Sequence, residues 1–369
     1  MLNAQLPSFE KSHDDLKYLL STAKTRWITQ DELARDDDSF SQITALLVLA
    51  HYQTSPSDIR MILDHPKIHL AVVEGQGDSL ANQSNHSKKS LLGVILMIEE
   101  GGVDDEALTQ AIIEGRRRPR GQLVPQALVG STACREFLVH KTLRIMRITI
   151  HPDLTNQGLG STLVTAAKHY SEQKKFDSLS TSFGITPNLI NFWRKNSFNL
   201  LKVGTHRDGA SGTQSAFMLR PLSQQSEHLL NVYTFKFKKD FLAALSKQYR
   251  NLESENIYAI LKSLSLNHRA LNSNELSQIH AYSNHFRTFE ESVASLVKGL
   301  LNCFADQSIR NISTAEARLL IMRLLQGRSE NTCIQNFHLT GKKQLNSTLR
   351  KQSRRLFDSY TNNGEHNKH

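Results

Sequence analysis

The alternation of apolar and polar positions is clearest over residues 144–173. Ile145, Ile148 and Ile150 form a short β-branched run that stops at His151 and Pro152, which predicts a strand. A polar turn carrying Gly158 and Gly160 follows. From about Ser161 the residues Leu163, Val164, Ala167 and Tyr170 return at the spacing of one helix face.

Upstream, residues 1–40 are polar, with an acidic run at Asp36, Asp37 and Asp38, and predict a loosely packed N-terminal arm. From Phe40 an apolar stripe (Ile43, Leu46, Leu47, Ala50) predicts a helix, on which His51 reads as a packing residue. Ser55 followed by Pro56 reads as an N-cap and a first-turn proline opening a second helix. Strands are predicted at 69–74 and 91–99, joined by a polar, mobile hairpin loop. A helix is then expected from Gly102 to about Gly115, and a short apolar helix near 124–129. Downstream come a strand at 178–183, a helix at 187–196 and strands near 198–203 and 215–219. Beyond Pro221 only helical patterns remain. This order predicts an α/β fold with a mixed central sheet flanked by helices over 41–222, followed by a mostly α-helical domain over 223–369.

Composition narrows the class. A chain of 369 residues has room for about two domains, and no apolar run approaches the ~20 residues that span a bilayer. The N-terminus lacks a basic segment followed by an apolar core, so a cytoplasmic protein without a signal peptide is expected. Cys134, Cys303 and Cys333 are far apart and form no C-x-x-C, and the 16 histidines form no H-E-x-x-H. No metal site is expected. Of the formal charge of +10, most lies from Gln224 onward, where 20 Lys+Arg face 12 Asp+Glu. A basic segment of this kind suits a polyanion, most often nucleic acid; solubility charge on a helical surface is the alternative.

Strand, glycine turn and helix together make an anion site, because glycine lets backbone N–H groups close on a phosphate and a helix N-terminus carries partial positive charge. The spacing is neither a Walker loop nor a Rossmann fingerprint, since no G-x-x-x-x-G-K-[ST] occurs and Leu163 stands where the third Rossmann glycine would be. The pattern x-x-G-x-G after a strand ending in His-Pro resembles motif A of the GNAT acetyltransferases, whose turn cradles the pyrophosphate of acetyl-CoA. A plain helix-entry turn is the alternative.

Further segments are more specific: LLVLAHYQTSPSD, RRPRGQLVPQAL, RITIHP, LSTSFGITPNLINFWRKNSF and HRDGASG, in this order, resemble the acetyltransferase part of the bacterial tRNA(Met) cytidine acetyltransferases. The likeness covers about residues 40–222 and extends more weakly into HLTGKKQLNSTLRKQ. It implies acetyl-CoA as cofactor and N4-acetylcytidine as product, at the wobble position of elongator tRNA(Met), by direct transfer in a ternary complex. Cofactor contacts are then expected from Ile148, Thr149, Ile150, Thr155, Asn156, Gln157, Gly158, Leu159, Gly160, Ser161, Trp193 and Arg194, with a backbone N–H near 148–150 as oxyanion donor.

His69, in the family's D-x-P-x-x-H-L pattern with Asp64 and Pro66, is the expected proton acceptor; a half-buried histidine bonded to a carbonyl is the other reading. His151 is expected to orient the turn. Arg117, Arg118 and Arg120 flank Pro119 and are expected to grip RNA phosphate, together with Lys342, Lys343, Arg350 and Lys351 and the further basic residues Lys236, Lys238, Lys239, Arg354 and Arg355. Arg207, Ser211 and Gly212 are expected to border the acceptor pocket.

Three departures from the family stand out. The family's ATPase/helicase-like module has no counterpart, so a separate partner or an ATP-independent reaction is expected. Thr155 replaces the usual Gln or Arg of the motif. Trp193 falls where many GNAT enzymes carry an acidic tyrosine, and indole N–H is no acid near neutral pH; a core position is the other reading for Trp193 and its neighbour Phe192. Two other activities fit parts of the pattern: acetylation of a protein or small-molecule amine, and non-catalytic RNA binding.

Overall fold

The β-branched and aliphatic runs before residue 222 pair into one seven-stranded sheet. The computed structural model describes residues 13–49, 56–76, 89–209, 211–267, 269–306 and 308–365. In chain order the elements are α1 (His13–Ser21), β1 (Lys24–Ile28), α2 (Gln30–Arg35), α3 (Asp37–Leu49), α4 (Pro56–Asp64), β2 (Ile68–Gln76) and β3 (Lys89–Glu100). They continue with α5 (Glu106–Ile113), α6 (Leu123–Thr132), α7 (Glu136–Val139), β4 (Thr142–Ile150), α8 (Leu159–Gln173), β5 (Ser178–Gly184), α9 (Pro187–Lys195), β6 (Asn199–Arg207) and β7 (Gln214–Pro221).

The strand order is β1-β2-β3-β4-β5-β7-β6. Only β4 and β5 run parallel, because α8 crosses over between them. On β3, Ile95 and Met97 join the core beneath α8 with Leu163, Val164 and Ala167, while Val94, Leu96 and Ile98 face Ile43, Leu46 and Leu47 of α3. Both faces of the central strands are covered, which explains why they read as continuous apolar runs.

The expected loose N-terminal arm is corrected for its described part. Leu19 and Leu33 are buried, β1 pairs antiparallel with β2, and Thr29 and Glu32 form a capping box at the start of α2. Periodicity missed β1 because Lys24, Thr25 and Arg26 are polar and only its pairing with 70–74 makes it a strand. The expectations for residues 1–12, for His51 and for the loop at 77–88 lie outside the described residues.

After β7 the chain is helical: α10 (Gln224–Ala244), α11 (Ser254–Ser263), α12 (Ser273–Asn284), α13 (Val293–Ala305), α14 (Thr314–Leu320) with a π-helical turn at Ile321–Leu325, α15 (Glu330–Asn336) and α16 (Lys342–Glu365). Ser223, Asn272 and Ser313 open helices with capping boxes. Phe237, Phe241, Ile257 and Ile260 share one buried cluster with Trp193, Phe198 and Val203 of the sheet region. Polar clasps reinforce that junction. The Tyr249 hydroxyl donates to the Val203 carbonyl at 2.9 Å, and Arg207 pairs with Glu253 at 3.0 Å. Buried Gln326 donates from Nε2 to the carbonyls of Tyr249, Arg250 and Leu252.

Candidate active site at the fork between β4 and β5

The two parallel strands at the centre of the sheet part company midway. β4 pairs with β5 only from Thr142 to Ile145, opposite Ser178 to Thr181. One residue beyond, the β3–β4 register shifts at Met146, so β4 carries an extra residue there and bends. The Thr181 hydroxyl donates to the Ile145 carbonyl at 3.4 Å and closes the root of the fork.

Past the bulge, the N–H of His151 bonds the Leu92 carbonyl of β3 at 2.8 Å. Alternation along an antiparallel pair then turns the N–H and C=O of Ile148 and Ile150 the other way, toward β5, which has diverged. Two strand amides therefore face an open cleft.

The glycine turn stands at the mouth of this fork. Pro152–Leu154 forms a 3-10 turn, with the His151 ring nitrogen Nδ1 accepting from the Asp153 N–H at 3.3 Å. His151 is buried. Asn156 (φ 63°) and Gly158 (φ 83°) are left-handed, and residues 155–158 are exposed. Gly158 is the N-cap of α8 and offers no side chain to the helix. The first intrahelical bond of α8 runs from the Thr162 N–H to the Gly158 carbonyl, so the amides of residues 158–161 point out of the helix end. A Cβ placed on Gly158 would meet nothing within 4 Å, and one on Gly160 would lie 3.2 Å from the Phe192 ring. Gly158 thus keeps a cradle open, whereas Gly160 permits close packing of α8 against α9. The arrangement suits a phosphate group.

Leu159 presents only its amide here, since its side chain is buried, and Ser161 is half-buried. Asn196, which the sequence reading overlooked, donates from Nδ2 to Ser161 Oγ at 3.2 Å and to the Phe192 carbonyl at 2.9 Å. It ties the α8 N-terminus to the end of α9. The only sequence signal is an Asn just past the basic last turn of a helix.

Trp193 is corrected. Its indole is buried between Phe183, Phe192 and Phe198, with ring centroids 6.1, 5.0 and 4.9 Å away, so it belongs to the core and has no surface for a cofactor. Arg194, its neighbour, is exposed at the end of α9.

His69 is also corrected. Through the registers it lies level with Met97 and Ile145, two strand spacings or ~10 Å from β4. Ile148 and Ile150 lie opposite Ile95 and Gly93, two and four residues along β3 from Met97, another ~7–13 Å. A base must reach its proton directly or through one water, and His69 does not reach the fork. Its ring is already engaged: Nε2 with Glu99 Oε1 at 2.7 Å and Nδ1 with the Tyr170 hydroxyl at 2.8 Å. Tyr170 stacks on Trp27 with centroids 3.9 Å apart, and burial followed by the Glu99 charge pushes its hydroxyl pKa up. The chain Glu99–His69–Tyr170–Trp27 fastens β1, β2 and β3 to α8.

The face opposite α8 carries α3 and α6, and the side chains of Arg144, Met146, Arg147 and Thr149 on β4 point to it. Here Arg117, Arg118 and Arg120 are exposed, while Arg116 pairs with Glu114. Arg118 lies near Lys202, whose amine is held below its usual pKa by burial and then by that guanidinium, and which donates to the Ala127 carbonyl at 2.7 Å.

In the helical region the expected RNA contacts divide. Lys343 and Lys351 are exposed, and Lys342 is exposed but pairs with Glu330 at 2.9 Å. Arg350 is corrected: its guanidinium donates to the carbonyls of Tyr282, His285 (2.8 Å) and Arg287 (2.7 Å) and lies 4.7 Å over the Tyr282 ring. Arg354 donates to the Ser283 carbonyl at 2.9 Å, and Arg355 pairs with Glu316. The first two close the C-terminus of α12, where carbonyls and the helix dipole favour cations. Lys236 pairs with Asp240, Lys238 donates to the Ser265 carbonyl, and Lys239 is exposed. Arg207 is held by Glu253, and the Ser211 side chain packs against Gly184 at the end of β5, beside the cleft.

No helix among the described residues is long and apolar enough to cross a membrane, and no cluster of three or more potential metal ligands occurs among them.

Comparison with known proteins matches a family model described as GNAT acetyltransferase 2 over residues 42–178 and 164–223. A tRNA(Met) cytidine acetyltransferase TmcA of Vibrio cholerae is 31% identical over 354 residues, covering 95% of this chain and 45% of that protein. The like-named proteins of Nitrosococcus halophilus (30% identity, 91% of this chain, 43% of that one) and Haemophilus ducreyi (33%, 81% and 44%) are similar. The chain spans somewhat under half the length of these relatives.

Proposed function

The chain belongs to the GNAT acetyltransferase 2 family, and from that premise we propose that it transfers acetyl from acetyl-CoA to the N4 amine of cytidine in RNA. The wobble cytidine of elongator tRNA(Met) is the proposed acceptor; the names of its relatives specify a cytidine of tRNA(Met). The observation that carries the cofactor assignment is the open cradle at Gly158. A glycine with free space at its Cβ position caps a 15-residue helix whose first amides point outward, at the mouth of a fork lined by two outward strand amides.

In this reading the amides of residues 158–161 hold the diphosphate, with Thr155, Asn156 and Gln157 shaping the turn. When bound, acetyl-CoA supplies a thioester: the C–N bond to N4 forms, the C–S bond breaks, and the amine proton ends on the departing sulfur.

The residues of the chain have three tasks. Ile148 and Ile150 N–H groups point into the fork and stabilise negative charge developing on an acyl oxygen placed there. Thr181 fixes where the cleft begins, and Asn196 holds Ser161 and the helix end, so the donors are oriented before the reaction. On the opposite face, the loop with Arg117, Arg118 and Arg120 holds RNA phosphates, and Lys343 and Lys351 extend the grip.

Cytosine N4 is conjugated and uncharged at neutral pH, so no ammonium has to be deprotonated first. A cytidine in a loop leaves its stack at lower cost than a paired one, which favours an anticodon loop as substrate.

Incubation with labelled acetyl-CoA and either total tRNA or a peptide pool tests the proposal. Label in tRNA supports it. Label in peptide alone would replace it with a protein N-acetyltransferase using the same cradle.

A further inference from the structure

Glu100 ends β3 on the face that carries α3 and α6, and its side chain is fully buried. It accepts from three donors: the Leu123 N–H at 3.1 Å, the Val124 N–H at 3.0 Å and the Arg144 Nε at 2.7 Å. The first two are the opening amides of α6. The residue that should cap that helix, Gln122, makes no side-chain cap; its Oε1 instead accepts from the Gly101 N–H at 2.7 Å. A carboxylate from a neighbouring strand therefore caps α6, where the helix dipole favours a negative charge.

The reversal that brings α6 to Glu100 is closely defined. Gly101 has φ 81°, and a Cβ there would lie 1.9 Å from the His140 carbonyl oxygen. The Gln126 side chain, one turn into α6, donates back to the Pro119 carbonyl of the arginine loop. Arg144, the third partner of Glu100, immediately precedes Ile145, the last residue of β4 paired with β5.

We propose that Glu100 is a positioning residue that couples RNA docking on the 116–120 loop to the β4–β5 fork. One buried carboxylate holds both the helix from which the arginine loop hangs and Arg144, the residue before the root of the fork at Ile145. Phosphate gripped by Arg117, Arg118 and Arg120 is thereby placed at a fixed offset from the acyl-transfer cleft. The inference rests on the RNA-acetyltransferase reading for the role of the fork, and on the exposed loop alone for RNA docking.

The test combines Glu100→Gln with the triple variant Arg117→Ala/Arg118→Ala/Arg120→Ala. RNA affinity is measured across a salt series by fluorescence with a labelled tRNA anticodon stem-loop, and KM for RNA and for acetyl-CoA by turnover. Glu100→Gln is expected to weaken RNA binding about tenfold and to flatten its salt dependence toward that of the triple variant. Its KM for acetyl-CoA should stay within about twofold, and in the triple background it should add nothing. Additive effects, or a rise in KM for acetyl-CoA in step with that for RNA, would overturn the coupling in favour of a purely structural carboxylate.

A lone glutamine strands a buried guanidinium, so Glu100→Gln/Arg144→Met, which removes both charges, serves the same comparison if the single variant unfolds. Because affinity is measured without turnover, a protein that binds RNA but acetylates none would overturn the proposed function and leave this test standing. Loss of all RNA binding in the wild type would overturn both.

Discussion

Thr181 and Ile145 share the last contact before β4 and β5 separate: the threonine hydroxyl donates to the isoleucine carbonyl at 3.4 Å. Thr181→Val keeps the shape and removes the donor, so the carbonyl loses its partner in a buried setting, at a cost of ~1 kcal/mol. Titration calorimetry and urea denaturation check the expectation that acetyl-CoA affinity falls several-fold with only that small loss of stability. Unchanged affinity would mean that the fork root does not set the cleft.

His69 joins Glu99 and Tyr170 in a chain that crosses from strand to helix. Replacing it with glutamine should lower stability by about 1–3 kcal/mol through the two altered bonds, while the pH profile of kcat keeps its shape. A hundredfold loss of kcat with a normal melting curve would restore His69 as the base.

Arg350 and Lys351 are neighbours in sequence with opposite expectations. Arg350→Ala uncovers the carbonyls of Tyr282, His285 and Arg287 and should lower the melting temperature. Lys351→Ala should leave melting unchanged and reduce the salt slope of RNA binding by about one unit. The reverse pattern would contradict this division between structural and RNA-facing basic residues.

The alkaline limb of stability has a definite sign. Burial pushes the Cys303 thiol up to about 12, and burial likewise pushes the Tyr282 hydroxyl up to about 12. In the unfolded chain they ionise near ~8.5 and ~10. Their contribution is complete below those unfolded values and is lost as pH rises from about 9 toward 12, because only the unfolded state releases the protons early. Urea midpoints should therefore be flat near pH 7–8 and fall above pH 9. Burial also pushes the Cys134 and Cys333 thiols up, so in Cys303→Ala the onset stays near pH 9 but the fall between about pH 9 and 10 should be shallower; an identical slope in both proteins would contradict the assignment.

The glycine cradle was legible in sequence because it is local: a β-branched strand, a Pro, two glycines and a helical stripe lie within 30 residues of each other. What decides His69 is not local. Its partners are Glu99, 30 residues away, and Tyr170, 101 residues away, so neither the motif around it nor its polarity reveals that both ring nitrogens are engaged. The arginines of α16 failed for the same reason. A basic residue on a helix looks the same whether it faces solvent or closes another helix's carbonyls. β1 was hidden because strand pairing, not alternation, defines it. Trp193 was placed correctly on α9 with a cofactor contact and a core position both open, and the burial that decides for the core depends on Phe183 and Phe198 from the elements on either side.

Mass spectrometry of nucleosides from tRNA treated with the purified protein and acetyl-CoA tests the central claim most directly, with wild type and Gly158→Glu run side by side. A glutamate at Gly158 would occupy the open space of the cradle with a negative charge and force a side chain onto a left-handed backbone position. The prediction is N4-acetylcytidine from the wild type and a loss of about a hundredfold or more in the variant, equivalent to ~2.7 kcal/mol of barrier. N4-acetylcytidine formed by a folded Gly158→Glu protein at the wild-type rate, or none formed by the wild type, would contradict it.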